Sequence, residues 1–257
     1  VNSFNTAVGC KAGKAMTTGV ENTIVGALAG DAITTGLFNT FVGKAAGGAL
    51  TTGTYNTAIG GLALDKATTD GKNVAIGYAA LTNQIGASAD AHNIAIGYNA
   101  GLNVTTGTQN TIMGGLAGDA LTTGTGNVAL GYQALSNEDT GSKSVAIGRA
   151  TLASQNFNGD AYNTAIGHQA GNLVSTGVRN TLIGGLAGDA LTTGSSNIAI
   201  GMHALSSEDA HGNNVAIGDQ ALMTLNAGAD AYNVAIGYKA GEAVTTGTGN
   251  TIVGGEA

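Results

Sequence analysis

The sequence predicts an all-β fold: a parallel β-roll, or β-solenoid, of about fifteen coils of 17 residues each. One observation is a pentad, Asn-(Thr/Val/Ile)-apolar-aliphatic-Gly, that returns along the whole chain. A second is its spacing, and a third is a unit too short and too rich in glycine for paired amphipathic helices. The phrase NTIVGALAGDAITTGLF at Asn22 returns nearly unchanged as NTLIGGLAGDALTTGSS at Asn180.

The pentad starts at Asn5, Asn22, Asn39, Asn56, Asn73, Asn93, Asn110, Asn127, Ser144, Asn163, Asn180, Asn197, Asn214, Asn233 and Asn250. Of the fourteen gaps between these fifteen starts, eleven are 17 residues, one is 20 and two are 19, the long ones beginning at Asn73, Ser144 and Asn214. A second period of about four coils is therefore laid over the first. No linker or composition break interrupts the pattern, so residues 1–257 read as a single solenoid domain with incomplete coils at both ends.

Counting the pentad asparagine as position 1, position 5 is always Gly, and position 8 is Ala everywhere except Thr151. Two short strands and two turns per coil are expected, stacked at the ~4.8 Å spacing of paired strands. The glycine at position 5, as in Gly9, Gly26 and Gly43, should end the first strand where the chain turns or meets another backbone. Thr-Thr-Gly, as in Thr34-Thr35-Gly36, reads as a strand end followed by a turn residue at positive φ. Asparagine at position 1 suits left-handed geometry and an amide ladder in which each side chain bonds the one above.

Alternation along Asn73-Val74-Ala75-Ile76-Gly77 sends Val74 and Ile76 to one face and Ala75 to the other. The position-4 residues are expected to fill the coil: Val8, Val25, Val42, Ile59, Ile76, Ile96, Met113, Leu130, Ile147, Ile166, Ile183, Ile200, Ile217, Ile236 and Val253. The position-3 residues Ala75, Ala95, Ile112, Ala129, Ala146, Ala165, Leu182, Ala199, Ala216 and Ala235 are expected on the outer face, where another chain would cover them. Strands apolar on both sides are normally buried on both. Self-association follows, and Ile76→Ala should cost about 2–5 kcal/mol by opening a cavity.

Composition removes several functions. With nine Lys and Arg and a net charge of −7, the chain lacks the basic face of a nucleic-acid binder. No apolar run is long enough for a membrane-spanning helix. Cys10 is the only cysteine, so no intrachain disulfide forms, and the residue reads as a small filler.

The pentads NVAIG at Asn73, Asn214 and Asn233 and SVAIG at Ser144 resemble the head repeat of trimeric autotransporter adhesins of the YadA type. NIAIGYNAG at Asn93 and NVAIGYKAG at Asn233 are equally similar to repeats of bacteriophage tail fibres. The resemblance covers the whole chain. It implies a left-handed parallel β-roll, three chains around a common axis, and an extracellular fibre on a virion or bacterial surface. The repeat departs from the adhesin head by its greater length.

Catalytic chemistry is not expected. His92, His168, His203 and His211 lie in turn-like positions, away from any nucleophile that alternation would place beside them. The cluster His203, Glu208, Asp209 and His211 offers metal-ligand types, but the equivalent earlier coil keeps only Glu138 and Asp139, so it reads as a solvated turn. Asp90, Asp160 and Asp230 recur in the long coils as turn residues, too far apart to share an ion. No catalytic residue, cofactor or metal is assigned. Thr34 and Thr35 point to opposite faces, which counts against an ice-binding surface.

Tyr78, Tyr98, Tyr132 and Tyr238 occupy position 6 and are candidates for stacking on a cell-surface glycan or for packing at strand corners. The long turns Gln84 to His92, Ser154 to Tyr162 and Met223 to Tyr232 are the expected receptor-binding segments, because insertions in a solenoid bulge outward. The expected function is a structural, adhesive fibre segment built from copies of itself. A self-polymerising extracellular filament or matrix protein is the alternative, since open coil ends pair with another chain.

Overall fold

The structure is a computed structural model that describes residues 3–86 and 90–257. It is an all-β parallel solenoid, with no helix among the described residues. The chain falls into two compact units, residues 1–127 and 128–257, each a stack of the same coil. The first carries β1 (Thr6–Val8), β2 (Thr23–Val25), β3 (Thr40–Val42), β4 (Thr57–Ile59), β5 (Val74–Ile76), β6 (Ile94–Ile96) and β7 (Thr111–Met113). The second carries β8 (Val128–Leu130), β9 (Val145–Ile147), β10 (Thr164–Ile166), β11 (Thr181–Ile183), β12 (Ile198–Ile200), β13 (Val215–Ile217), β14 (Val234–Ile236) and β15 (Thr251–Val253).

Within each unit the strands pair parallel and without slippage, so that Thr6, Ala7 and Val8 face Thr23, Ile24 and Val25. The long coils do not disturb this register. Ala75 still pairs with Ala95, and Ala146 with Ala165, so the extra residues are taken up outside the strands.

Each coil holds one strand of three residues rather than the two expected. After the glycine, positions 7 and 9 both take left-handed φ, as in Leu28 (61°) with Gly30 (48°) and Ala79 (56°) with Leu81 (49°), and the chain zigzags instead of extending. Its amides still reach the neighbouring coils. Leu28 N donates to Cys10 O and Gly30 N to Ala46 O, both at 2.9 Å, one toward the preceding coil and one toward the next. The remaining left-handed residue is the one before the pentad, Phe38 (57°) or Tyr55 (59°). Neither Gly36 nor Asn39 has a positive φ, contrary to the expectation for the Thr-Thr-Gly turn and the pentad asparagine.

Glycine at position 5 is required twice over. Gly9 has φ +134°, which side chains with a β-carbon rarely adopt, and a β-carbon there would lie 2.6 Å from Gly26 O of the next coil. The same holds at Gly26, Gly43 and their equivalents, because in-register stacking places each glycine directly on the next.

The two rows of each strand are placed the other way round from the expectation. Ala75, Ala95, Ile112, Ala129, Ala146, Ala165, Leu182, Ala199, Ala216 and Ala235 are fully buried inside the coil. None of Val8, Val25, Val42, Ile59, Ile76, Ile96, Met113, Leu130, Ile147, Ile166, Ile183, Ile200, Ile217, Ile236 and Val253 is buried, and Ile59 and Ile166 are each 37% exposed. The cause is the asparagine. Position 1 points inward, and alternation then forces position 3 inward and positions 2 and 4 outward.

Where the preceding coil carries a pentad asparagine, the pentad amide N–H donates to its Oδ1: Asn22 to Asn5 at 2.8 Å, Asn39 to Asn22 at 3.0 Å, Asn56 to Asn39 at 2.9 Å. The second unit repeats this, with Asn180 bonded to Asn163 and Asn197 to Asn180 at 2.9 Å. The Nδ2 crosses the coil to the carbonyl at position 15, from Asn22 to Gly36 and from Asn39 to Gly53, both at 2.9 Å. The ladder thus ties neighbouring coils and closes each coil on itself.

Packing inside the coil is a trade between positions 3 and 9. Where position 3 is large, as in Ile24, Phe41, Ile112 and Leu182, position 9 is Gly30, Gly47, Gly118 and Gly188. Where position 3 is Ala58, Ala75, Ala129 or Ala146, position 9 is Leu64, Leu81, Leu135 or Leu152, all fully buried. Coils small at both places borrow from neighbours: a β-carbon on Gly101 would meet Ile112 at 3.0 Å and Leu81 at 3.1 Å.

Candidate functional site

Positions 2 and 4 form an outward face of Thr, Val and Ile, with Met113 and Leu130 at position 4 of β7 and β8. Ile94 and Ile198 at position 2 and Ile236 at position 4 are exposed, and Val74, Ile76, Val215 and Ile217 are half-buried. Among the described residues this face is an exposed aliphatic surface of each unit, and sequence reasoning had assigned the outward place to the alanine row. The signal that would have found it is the parity of the pentad, since an inward asparagine fixes which residues face out.

Aromatic side chains border that face along both edges. On the position-17 edge Phe38 stacks on Tyr55 with ring centroids 5.0 Å apart, and on the position-6 edge Tyr78 stacks on Tyr98 at 5.8 Å. Tyr78, Tyr98, Tyr132 and Tyr238 are all exposed, and Lys239 Nζ lies 5.7 Å from the Tyr238 ring centroid. In each stacked pair the rings are close to parallel. No protein-family model, curated protein or solved structure matches the chain.

The long turns are seated on buried carboxylates. Glu138, fully buried one coil before the second long turn, accepts from Gly141 N at 2.7 Å and Phe157 N at 3.3 Å. Glu208, its equivalent one super-repeat later, accepts from His211 N at 3.2 Å and Ala227 N at 3.1 Å. In the first long turn the corresponding carboxylate comes from Asp70, also fully buried. That turn, Gln84 to His92, includes residues 87–89, which lie outside the described residues.

A surface tie accompanies each turn. Lys72 Nζ lies 2.6 Å from Asp90 Oδ2, and Lys143 Nζ lies 2.7 Å from Asp160 Oδ2, with the Tyr162 hydroxyl donating to the same oxygen at 3.1 Å. The Lys143 ammonium holds the Asp160 carboxyl below the usual carboxylate range, and Asp160 in turn raises Lys143. In the third turn Asp230 accepts instead from Gly212 N at 2.8 Å and Asn213 Nδ2 at 3.1 Å. These aspartates therefore bind the turn to the preceding coil.

Ser144 cannot cross the coil as asparagine does, and Gln155 spans the break. Its Nε2 donates to Ser144 Oγ and to Glu138 Oε2, both at 2.9 Å, and its Oε1 accepts from Asn163 Nδ2 at 2.8 Å. Gln84 accepts from Asn93 Nδ2 in the same way at 3.0 Å. Glu138 and Glu208, read from the sequence as parts of solvated turns, are instead fully buried, and the bridging roles of Gln155 and Gln84 were missed, although all four are polar at position 12, where most coils carry an aliphatic residue.

Glu208, Asp209 and His211 bring ligand atoms within 4.8 Å of one another, without His203. His211 Nδ1 lies 3.2 Å from Glu208 Oε1, whose carboxylate already accepts main-chain N–H groups at both oxygens. The arrangement is that of a turn anchor.

Proposed function

We propose that this chain is a structural segment of an extracellular attachment fibre that assembles with copies of itself through its outward aliphatic face. The observation that carries this reading is that the aliphatic and threonine side chains at positions 2 and 4 stay exposed or half-buried on coil after coil, with Ile94 and Ile198 exposed. An apolar surface so continuous marks an interface. A second copy of the same chain is the partner because its face repeats at the same coil spacing and in the same register, so that every row meets a row.

The resemblance of NVAIG and NIAIGYNAG to adhesin-head and tail-fibre repeats supports a left-handed roll and three copies around a common axis. In that assembly the long turns and the aromatic borders are the parts left to meet a cell-surface glycan or protein, with Tyr78, Tyr98, Tyr132 and Tyr238 as stacking platforms. A location on a virion or bacterial surface and a non-enzymatic role follow from the same reading.

The test is the native mass of the purified chain beside that of Ile96→Glu and Ile200→Glu. A trimer that dissociates in the variants supports the proposal. A wild-type monomer at high micromolar concentration rejects it, and an open series of masses replaces the trimer with a filament.

A further inference from the structure

The Asp70 carboxyl is fully buried, neither oxygen is in good hydrogen-bond geometry with a partner, and the side-chain donor beside it is Gln84. Beside it, fully buried Gln84 leaves its Nε2 unpaired as well. Native proteins leave few such groups, and a buried carboxylate without partners is costly enough that it either keeps its proton or moves to water. Asp70 packs directly on Gly86, so closely that a β-carbon at Gly86 would overlap the carboxyl.

The other two long turns show what is missing. There the carboxylate enters from position 12, as Glu138 or Glu208, and accepts an N–H from Phe157 or Ala227, the residues equivalent to Gly86. Asp70 enters from position 15 instead, while Ile85 N and Gly86 N are both given to Thr105 O, at 3.1 and 3.3 Å. None of the three main-chain N–H groups of the Gln84–Gly86 limb is left for the carboxyl, and the donor beside it is the Gln84 side chain. The neighbouring groups are the Gln84 side chain and the main chain at Thr68 and Asp70, and burial holds the Asp70 carboxyl above the usual aspartate range. Lys72, two residues after Asp70, and Asp90, at the far end of the turn, are engaged with each other at the surface.

We propose that the Gln84–Gly86 limb of the first long turn is a proton-keyed latch, seated on Asp70 while that carboxyl is neutral and lifted when it ionises. The sign follows from burial. A group that holds its proton more tightly when folded stabilises the seated state at low pH, and this contribution is lost as pH rises through its folded value. The second and third turns, whose carboxylates accept main-chain N–H groups, stay seated in both states.

Hydrogen exchange at the Ile85 and Gly86 amides, corrected for intrinsic rates, reads the latch directly. Between about pH 4, the ordinary aspartate value, and about pH 7.5 protection in the wild type should fall by up to about tenfold per pH unit, the limit for one linked proton. Asp70→Asn should stay protected at both. Asp70→Gly, which installs the glycine found at this position in Gly36, Gly53 and Gly141, guards against a fold defect and should likewise lose the step. Equal protection at both pH values in the wild type, or a step that persists in either variant, overturns the proposal. So does a carboxyl-carbon titration placing Asp70 at or below about 3.9, the ordinary aspartate value.

Discussion

The ring of Phe41 occupies the space that a β-carbon on Gly47 would need, coming within 2.8 Å of that position. The coil interior is therefore filled from position 3 or from position 9, or, where both are small, from the neighbouring coils. Gly47→Leu alone should destabilise by about 1–3 kcal/mol through overpacking. With Phe41→Ala the pair copies Ala58 with Leu64, and most of the loss should return. A double-mutant cycle of thermal melts checks this, and additive losses would disprove the complementarity.

Outward and inward rows should respond in opposite ways. Ile76→Ala, expected from the sequence to open a core cavity, should change the stability of the isolated chain by about 0.5 kcal/mol or less, as for other surface sites. Ala75→Leu, forced against Leu81 inside the coil, should cost about 1–3 kcal/mol. Urea titration of both variants distinguishes the rows.

The ladder should be sensitive at any interior rung. Asn39→Ala leaves Asn56 N and Gly53 O without their buried partners, at about 1–3 kcal/mol each. Gln155→Leu should cost a similar amount by removing the side-chain donor to Glu138 Oε2 and Ser144 Oγ and the acceptor for one Asn163 Nδ2 hydrogen. Melts of the two variants provide the comparison, and a loss under half a kcal/mol in either would mean that water replaces the rung.

Gly77→Ala should be among the most damaging single changes. It combines φ +129° with a β-carbon driven into Gly97 O of the next coil, for a total of about 2–6 kcal/mol. Circular dichroism and melting temperature would show it. Gly228→Ala, with open space around it, serves as the control.

Mild acid should strengthen the fold. Burial raises the carboxyls of Asp65, Asp119 and Asp189 above the usual aspartate range. Groups raised in the folded state contribute stability below their unfolded value and lose it as pH rises through the folded one. The melting temperature should therefore increase as pH falls from neutrality toward the window just above 3.8, and Asp119→Asn should reduce that increase. A melting temperature that falls steadily through the window would contradict it.

Much of this was legible in the sequence because the repeat itself is the code. A pentad returning every 17 residues with an obligatory glycine implies stacked coils in register, and the stack contains what Asn22, Gly26 and Ala29 suggest: a ladder, a backbone-on-backbone contact and a small buried corner. The long-turn anchors were harder to read. Glu138 and Asp70 both lie against a long turn, from positions 12 and 15, and only a fold shows that the two places converge.

What the amino-acid sequence determined by itself was the period, the fold class and the fact that both sides of each strand are oily. Which side is inside was decided by tertiary structure. Ala75 and Ile76 are both apolar, so hydrophobicity alone could not rank them. The asparagine side chain broke the tie, because its amide must cross the coil interior to reach the opposite carbonyl and turns the alternation of the whole strand with it.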